Sequence, residues 1–305
     1  MHPAGTGPWI WCALAALGAA CAHRPPPPLH SARLTVQRLE GGGFRPFVEV
    51  KVAGRPIRML VDTGAYRSIL PRGFAQESHL RSQSTSADAD VVDGNGNLAR
   101  MPVLPFVPVQ FEGEESGTLD FLMNGSSDKA EGVLTPQDLV RPGGALVIDL
   151  EHAVLRYGPE EDLLRELRAG ATPVRALEYH RCLDEGLFER AHRVVSVTIN
   201  GVPADMLIDT GASQSALTRN NPAIPSMVKI QGDRKTTAAM TSMGQGLLVQ
   251  DVPLDFAGTR FVLPVFVQPV STLCFKGLVG ADVLRRCTLL WGYSDLWAAC
   301  HAPGA

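Results

Sequence analysis

The chain has 305 residues, 45% of them apolar and 19% charged, which is the composition of a globular protein rather than of a disordered or fibrous one. Its formal charge of −3 is nearly balanced and its Lys and Arg are scattered, which argues against a surface that binds nucleic acid. The 30 Gly and 23 Pro, with only short helix-like stretches, predict many strands joined by tight turns.

The N-terminus has the features of an export signal. Residues Pro8 to Ala20 form an apolar run of about 13 residues, too short to span a bilayer but as long as a signal-peptide core. Small residues end the run before Cys21, which resembles a bacterial lipoprotein signal whose cysteine carries the lipid. We expect residues 1–20 to be a signal peptide and 21–30 a proline-rich tether, so that the exported protein is membrane-anchored and faces the periplasm or the cell exterior. The alternative is ordinary signal cleavage nearby, with Cys21 incidental.

Four further cysteines lie in the second half of the chain: Cys182, Cys274, Cys287 and Cys300. An exported protein enters a compartment that permits disulfides, so the four could form two bridges, and the sequence leaves all three connectivities open. A metal site is disfavoured because there is no CxxC pair and no histidines cluster with them. No cofactor motif is evident either.

The chain repeats itself. The segment Phe47–Leu70 aligns without a gap on Val194–Leu217 at an offset of 147 residues, and from Val48 onward 12 of 23 positions are identical. In both copies apolar residues alternate as in a half-buried strand, and a second apolar strand follows after a hairpin turn. The predicted turn residues are Gly54 with Pro56 in the first copy and Gly201 with Pro203 in the second. That second strand leads into Asp-Thr-Gly-Ala, at Asp62 in one copy and Asp209 in the other.

The similarity resumes downstream, where Glu131–Leu139 matches Lys276–Leu284 at an offset of 145. Only two residues of length difference accumulate between the blocks, so each half is one complete unit. We predict a first lobe at 31–158, a linker with a short helix at 159–172, and a second lobe at 173–300. The linker helix is indicated by an early proline, acidic residues in its first turn and a glycine at its end.

Two aspartates at the ends of buried strands indicate a shared acidic site. If the halves pack about a pseudo-twofold axis, Asp62 and Asp209 meet, cannot both ionise, and share one proton. One carboxylate can then act as general base on a water molecule while the other polarises a carbonyl group. Residues beside them are expected to shape the loops and lock them together: Thr63, Gly64, Thr210 and Gly211.

The duplicated VDTGA and IDTGAS, each followed by an apolar block, resemble the retropepsin-like family of aspartic peptidases over nearly all of residues 31–300. The resemblance implies an all-β fold of two acid-protease lobes related by pseudo-twofold symmetry, in one monomeric chain. It implies an aspartic endopeptidase with Asp62 and Asp209 as the catalytic pair and hydrogen bonds between the loops through Thr63 and Thr210. The substrate would be a peptide or an unfolded protein segment lying between the lobes.

By the same resemblance, glycine-rich hairpin tips at Asp93–Asn97 and Thr241–Gly246 would be flaps that close over substrate. The candidate flap residues are Gly94, Asn95, Gly96, Met243, Gly244 and Gln245. Ala65 and Ala212 stand where pepsin-like enzymes usually carry a hydroxyl, so we expect an activity optimum at mildly rather than strongly acidic pH.

One departure concerns Thr135, which stands where the second half has Gly280, and it predicts a slightly rearranged first lobe. Ser68 and Ser215, equivalent in the repeat, either support the Asp-Thr-Gly loops or act as caps. The main rival hypothesis is a non-catalytic, peptide-binding or assembly lipoprotein on the same scaffold. A homodimer of four repeats is disfavoured because each chain already holds two complete halves.

Overall fold

A computed structural model describes residues 30–40, 43–81, 89–92, 98–111, 114–125, 131–182, 192–230, 237–241, 244–268 and 275–302. Several of the predictions fall outside these residues: the signal peptide, nearly all of the tether, Cys21, Cys274, Gly94, Asn95, Gly96 and Met243.

Where it is described, the first half of the chain is built mainly of strands, with two short helices. In chain order the elements are β1 (His30–Arg38), β2 (Phe44–Val52), β3 (Arg55–Val61), β4 (Ile69–Pro71), α1 (Arg72–Glu77), β5 (Ala89–Val92), β6 (Leu98–Met101), β7 (Val103–Phe111), β8 (Glu114–Asn124), β9 (Glu131–Leu134), α2 (Pro136–Leu139), β10 (Gly144–Asp149) and β11 (Val154–Pro159).

The helix α3 (Glu160–Ala169) leads into the second half, which is again rich in strands. Its elements are β12 (Val174–Ala176), β13 (Tyr179–Cys182), β14 (His192–Ile199), β15 (Val202–Ile208), β16 (Ala216–Leu217), α4 (Ile224–Ile230), β17 (Thr237–Thr241), β18 (Gly244–Phe256), β19 (Thr259–Val267), β20 (Gly277–Val279), α5 (Ala281–Leu284), β21 (Cys287–Gly292) and β22 (Leu296–Cys300).

The two halves repeat one strand topology. In the first, β2 and β3 form an antiparallel hairpin, β3 runs parallel to β9, and β4 pairs with both β9 and β8. In the second, β14, β15, β20, β16 and β19 make the corresponding pairs. The expected all-β architecture with two equivalent lobes is therefore confirmed.

The predicted alternation along the repeated strands is confirmed by burial. Val48, Val50 and Val52 of β2 are all buried, whereas Glu49 and Lys51 between them are exposed. Val195, Val197 and Ile199 of β14 are likewise buried. These side chains belong to one hydrophobic core that includes residues of both lobes.

Each repeated hairpin closes through a two-residue turn in which both residues have positive φ. The turn residues are Ala53 and Gly54, with φ of 50° and 79°, and their counterparts Asn200 and Gly201, with φ of 48° and 80°. Such turns match the right-handed twist of the flanking strands. The turn glycines were predicted correctly, but Pro56 and its counterpart lie in the following strands rather than in the turns.

The lobes share a central sheet. Strand β10 of the first half pairs antiparallel with β21 of the second, with Ala145 opposite Gly292 and Asp149 opposite Thr288. Strands β11 and β1 extend this sheet on one side, and β22 and β12 extend it on the other. The halves are thus hydrogen-bonded to each other through the backbone, which holds the lobes in one orientation.

The predicted linker helix is present as α3. Its Leu163 is fully buried and packs with Ala145, Val147 and Leu290 on one face of the shared sheet. Acidic residues occupy its first turn, where they interact favourably with the helix dipole.

A disulfide joins Cys287 of β21 to Cys300, its cross-strand partner on β22. This bridge leaves Cys182 and Cys274 as the remaining pair, which stays a prediction. Within the described ranges, none of the helices has both the length and the apolar character needed to cross a membrane.

Candidate active site

Parallel strands position the two aspartates identically. Asp62 follows the end of β3, and its backbone N–H donates to the carbonyl oxygen of Leu134 on β9 at 3.0 Å. Asp209 follows β15, and its N–H donates to the carbonyl of Val279 on β20, also at 3.0 Å. Because β9 and β20 run beside these strands, each acidic loop starts from a fixed backbone position.

Four hydrogen bonds tie the two acidic loops together across the lobes. The Thr63 hydroxyl accepts from Thr210 N–H at 3.0 Å and donates to the carbonyl of Ile208 at 2.7 Å. The Thr210 hydroxyl accepts from Thr63 N–H at 3.1 Å and donates to the carbonyl of Val61 at 2.6 Å. Both threonines are fully buried. The predicted loop contact through Thr63 and Thr210 therefore exists, with pseudo-twofold symmetry.

The glycines of the loops lie directly against the opposite carboxylates. A Cβ atom added to Gly64 would lie 2.5 Å from Cγ of Asp209, and one added to Gly211 would lie 2.4 Å from Cγ of Asp62. Only glycine allows the backbone to approach a side chain so closely. The two carboxyl groups are consequently brought to the same place, close enough to influence each other's ionisation.

Backbone donors also surround each carboxylate. Oδ1 of Asp62 accepts from Gly64 N–H at 2.8 Å and from Ala65 N–H at 3.0 Å, and Oδ1 of Asp209 accepts from Ala212 N–H at 2.9 Å. These bonds orient the carboxyl groups and favour their ionised forms. Both aspartates are enclosed on most sides but keep part of their surface exposed, so that solvent can reach the pair.

The pKa values of both carboxyls are raised despite these donors. Burial raises the pKa of Asp62 well above its usual range, and the adjacent carboxyl of Asp209 raises it further. Burial also raises the pKa of Asp209, while hydrogen bonds from Ala212, Asp62 and Gly211 oppose the change. Two like charges this close are costly, so the pair retains one proton over a pH range in which isolated aspartates are both ionised. Such a pair can act as acid and base at once.

Both halves match families of aspartyl proteases. Residues 48–134 match the family described as gag-polyprotein putative aspartyl protease, and residues 195–283 match the family described as aspartyl protease. Each match contains one aspartate of the pair and the apolar block that follows it. The chain carries two tandem aspartyl-protease-like domains.

The fold agrees with this assignment. The crystal structure of an aspartic proteinase from Irpex lacteus superimposes on the chain with a TM-score of 0.55, at 11% sequence identity, over 90% of this chain and 97% of that one. At that identity the likeness concerns the fold alone. No curated protein matches the chain in sequence.

The flap predictions can be followed only in part. In the second aspartyl-protease-like domain, Gly244 pairs with Thr241 and Gln245 with Met240 at the closed end of the β17–β18 hairpin. In the first domain β5 and β6 also form an antiparallel hairpin, whose connecting residues lie outside the described ranges.

The repeated serines support the acidic loops. Ser215 donates its N–H and its hydroxyl to Oδ1 of Asp282, at 2.9 and 2.7 Å, and its Oγ accepts from Gly280 N–H. In the first domain Ser68 N–H donates to Oδ2 of Asp138 at 2.7 Å, and Ser68 Oγ accepts from the N–H at position 135. The sequence prediction left open whether the serines support the loops or act as caps, and they support the loops.

Asp138 and Asp282, which receive these bonds, were missed by sequence reasoning. They do not align in the repeat, since Asp282 corresponds to Gln137 in the ungapped alignment. Their signal was an acidic residue in a short helix directly after each apolar block. As to metal ions, the described residues contain no group of three or more side chains suited to holding one.

Proposed function

We propose that this protein is an aspartic endopeptidase, which hydrolyses peptide bonds with a water molecule activated between Asp62 and Asp209. The observation that carries the proposal is the meeting of the two carboxyl groups, each against the glycine of the opposite loop. The raised pKa values support it as well, because a pair with raised pKa values keeps the one shared proton that the reaction needs.

The reaction would use the pair as base and acid in turn. The ionised carboxylate removes a proton from water, which attacks the peptide carbonyl, while the protonated carboxyl donates a hydrogen bond to the carbonyl oxygen. When the tetrahedral intermediate collapses, a proton passes to the leaving amine and the roles reverse. The equivalent bonds of Thr63 and Thr210 support this proposal, in which the two carboxyls lie on either side of one water molecule.

We also propose that the substrate is an extended peptide or an unfolded segment lying between the domains. The β17–β18 hairpin supports this, since β17 is the edge strand of its sheet and an exposed strand edge can hydrogen-bond to an extended backbone. Residues Ala65 and Ala212 add no hydroxyl donor to the carboxylates, which supports an optimum at mildly acidic pH.

Asparagine substitutions test the mechanism. Asp62→Asn and Asp209→Asn should each lower kcat/KM for a denatured protein by at least about a hundredfold, because the base or the acid is lost. Asp162→Asn, the same change at an exposed aspartate of α3, is the matched control, and circular dichroism verifies the fold of every variant. Pepstatin should inhibit the wild-type activity.

Activity that survives either active-site substitution would refute the mechanism. A wild-type chain that binds pepstatin but cleaves no peptide bond would instead support the alternative, a peptide-binding or assembly lipoprotein on this scaffold.

Export and lipid anchoring at Cys21 form a separate proposal, which rests on the N-terminal sequence. The Cys287–Cys300 disulfide supports it, because disulfides persist mainly in oxidising compartments. In bacterial cells the wild-type chain is expected to incorporate labelled palmitate and to sediment with membranes, whereas Cys21→Ala should do neither. Equal labelling of both chains would refute anchoring at this residue.

A further inference from the structure

The two acidic loops differ in one backbone hydrogen bond. In the second domain Ala281 N–H donates to the carbonyl of Ala212, the residue after Asp-Thr-Gly, at 2.8 Å. The residue that aligns with Ala281 in the first domain is Pro136, which has no N–H to donate. The carbonyl of Ala65, equivalent to that of Ala212, therefore needs a different donor.

Thr135 offers that donor through its side chain. Its hydroxyl lies 2.9 Å from the carbonyl oxygen of Ala65, and the residue is fully buried. The aligned residue in the second domain is Gly280, which has no side chain. Thr135 keeps the backbone role of that glycine, since its N–H donates to Ser68 Oγ at 3.1 Å as Gly280 N–H does to Ser215 Oγ at 3.0 Å.

Gln137 completes the arrangement. The Thr135 hydroxyl also contacts Oε1 of Gln137, and one hydroxyl proton cannot fully serve two acceptors. The Gln137 side-chain N–H group compensates, because it lies 3.1 Å from the carbonyl oxygen of Thr63 and 3.5 Å from that of Ala65. Together the two side chains reach both carbonyl groups that flank Gly64.

The bond to Thr63 bears on the carboxylate. The carbonyl of Thr63 and the N–H of Gly64 belong to one peptide group, and that N–H donates to Oδ1 of Asp62 at 2.8 Å. A donor at the carbonyl end polarises the peptide and strengthens the bond at its N–H end. Gln137 thereby favours the ionised form of Asp62. In the second domain the aligned Asp282 binds Ser215 instead.

We infer that Thr135 and Gln137 are positioning residues of the first acidic loop, which replace the backbone donor removed by Pro136 and tune the ionisation of Asp62. The Thr135 substitution in the repeat is thus part of a compensated change and not a defect of the first domain. The inference rests on the proposed function for its kinetic readout, but not for its titration readout.

Substitutions at position 135 test the hydroxyl. Thr135→Val keeps the shape and removes the donor, and it should lower kcat/KM about tenfold or more, since the partly buried carbonyl of Ala65 loses its closest donor. Thr135→Ser keeps the hydroxyl and should stay within about threefold of wild type. Equal activity of Thr135→Val and wild type, or an equal loss in both variants, would overturn the role of the hydroxyl.

Gln137→Leu tests the tuning. The basic limb of the kcat/KM profile should move to higher pH, because Asp62, the carboxyl that holds the shared proton, loses support for its ionised form. Gln76→Leu, on the exposed face of α1, is the control and should leave the profile unchanged. Titration of ¹³C-labelled aspartate carboxyls by NMR should show the same shift without any turnover. If the carboxyl titration of folded Gln137→Leu equals that of wild type, the inference is overturned. If the titration shifts in the variant but the wild type is inactive, the result counts against the proposed peptidase activity and not against the inference.

Discussion

The bonds across the lobes through Thr63 and Thr210 should carry a measurable part of the stability. Thr210→Val preserves the size of the side chain but removes the hydroxyl that accepts from Thr63 N–H and donates to the carbonyl of Val61. Both backbone groups are then buried without a partner. Each such group costs about 1–3 kcal/mol, so the loss should be about 2–6 kcal/mol. This is a large share of a total stability of roughly 5–15 kcal/mol.

Urea unfolding, followed by the fluorescence of buried Trp291 in the shared sheet, measures this loss. Thr210→Ser retains the hydroxyl and should lose only about 1 kcal/mol for the methyl group. Thr118→Val, at an exposed position of β8, makes the same change outside the interface and should stay within about 0.5 kcal/mol of wild type. A loss below about 1 kcal/mol in Thr210→Val would show that the hydroxyl does not bridge the lobes, which would refute the reasoning.

Gly211, the pair of aspartates and the disulfide each lead to a prediction of their own. Gly211→Ala should abolish activity and lower the melting temperature by several degrees, because its Cβ would lie 2.4 Å from Cγ of Asp62; a fully active variant would contradict this geometry. Raised pKa values of Asp62 and Asp209 mean that the folded state binds more protons than the unfolded state, so the free energy of unfolding should fall as pH rises from the usual Asp range through the raised pKa. Urea titrations at several pH values should show this fall in wild type and a smaller one in Asp62→Asn, and identical slopes would count against the shared proton. Peptide mapping without reduction should recover Cys287 linked to Cys300, and a different partner for either cysteine would contradict the fold of β21 and β22.

The sequence repeat was sufficient to predict the positions that create the site. The ungapped match around Asp62 and Asp209 predicted two strands that end at equivalent points, and a pseudo-twofold arrangement then brings the carboxyls together. The glycines of the turns were also predictable, because positive φ at Gly54 and Gly201 strongly favours that residue type. Local pattern and pairwise equivalence therefore determine most of the site.

The position of a functional residue within a short helix was not predictable. The carboxylates that bind Ser68 and Ser215 sit one position apart in the ungapped alignment, since Asp138 and Asp282 lie at different positions of α2 and α5. A repeat alignment cannot show such a shift, because no insertion marks it. The sheet shared by β10 and β21 was missed for a related reason: it joins strands of different halves, and similarity within the repeat carries no information on pairing between them.

A single chain allows its two acidic loops to differ. Position 135 needs this freedom, because it carries a side chain that its counterpart, Gly280, has no room for. In two identical subunits a threonine at this position would occur in both loops. At Gly280 a Cβ atom would lie 2.4 Å from the backbone carbon of Gln214 and 2.8 Å from the nitrogen of Ser215, so no side chain fits without displacing that loop. Gly280→Thr should therefore reduce the free energy of unfolding by more than Thr135→Gly does, although each change merely copies the other domain. Urea unfolding of both variants measures the difference, and equal losses would mean that the two loops are interchangeable and that the compensation by Thr135 and Gln137 is not specific to the first.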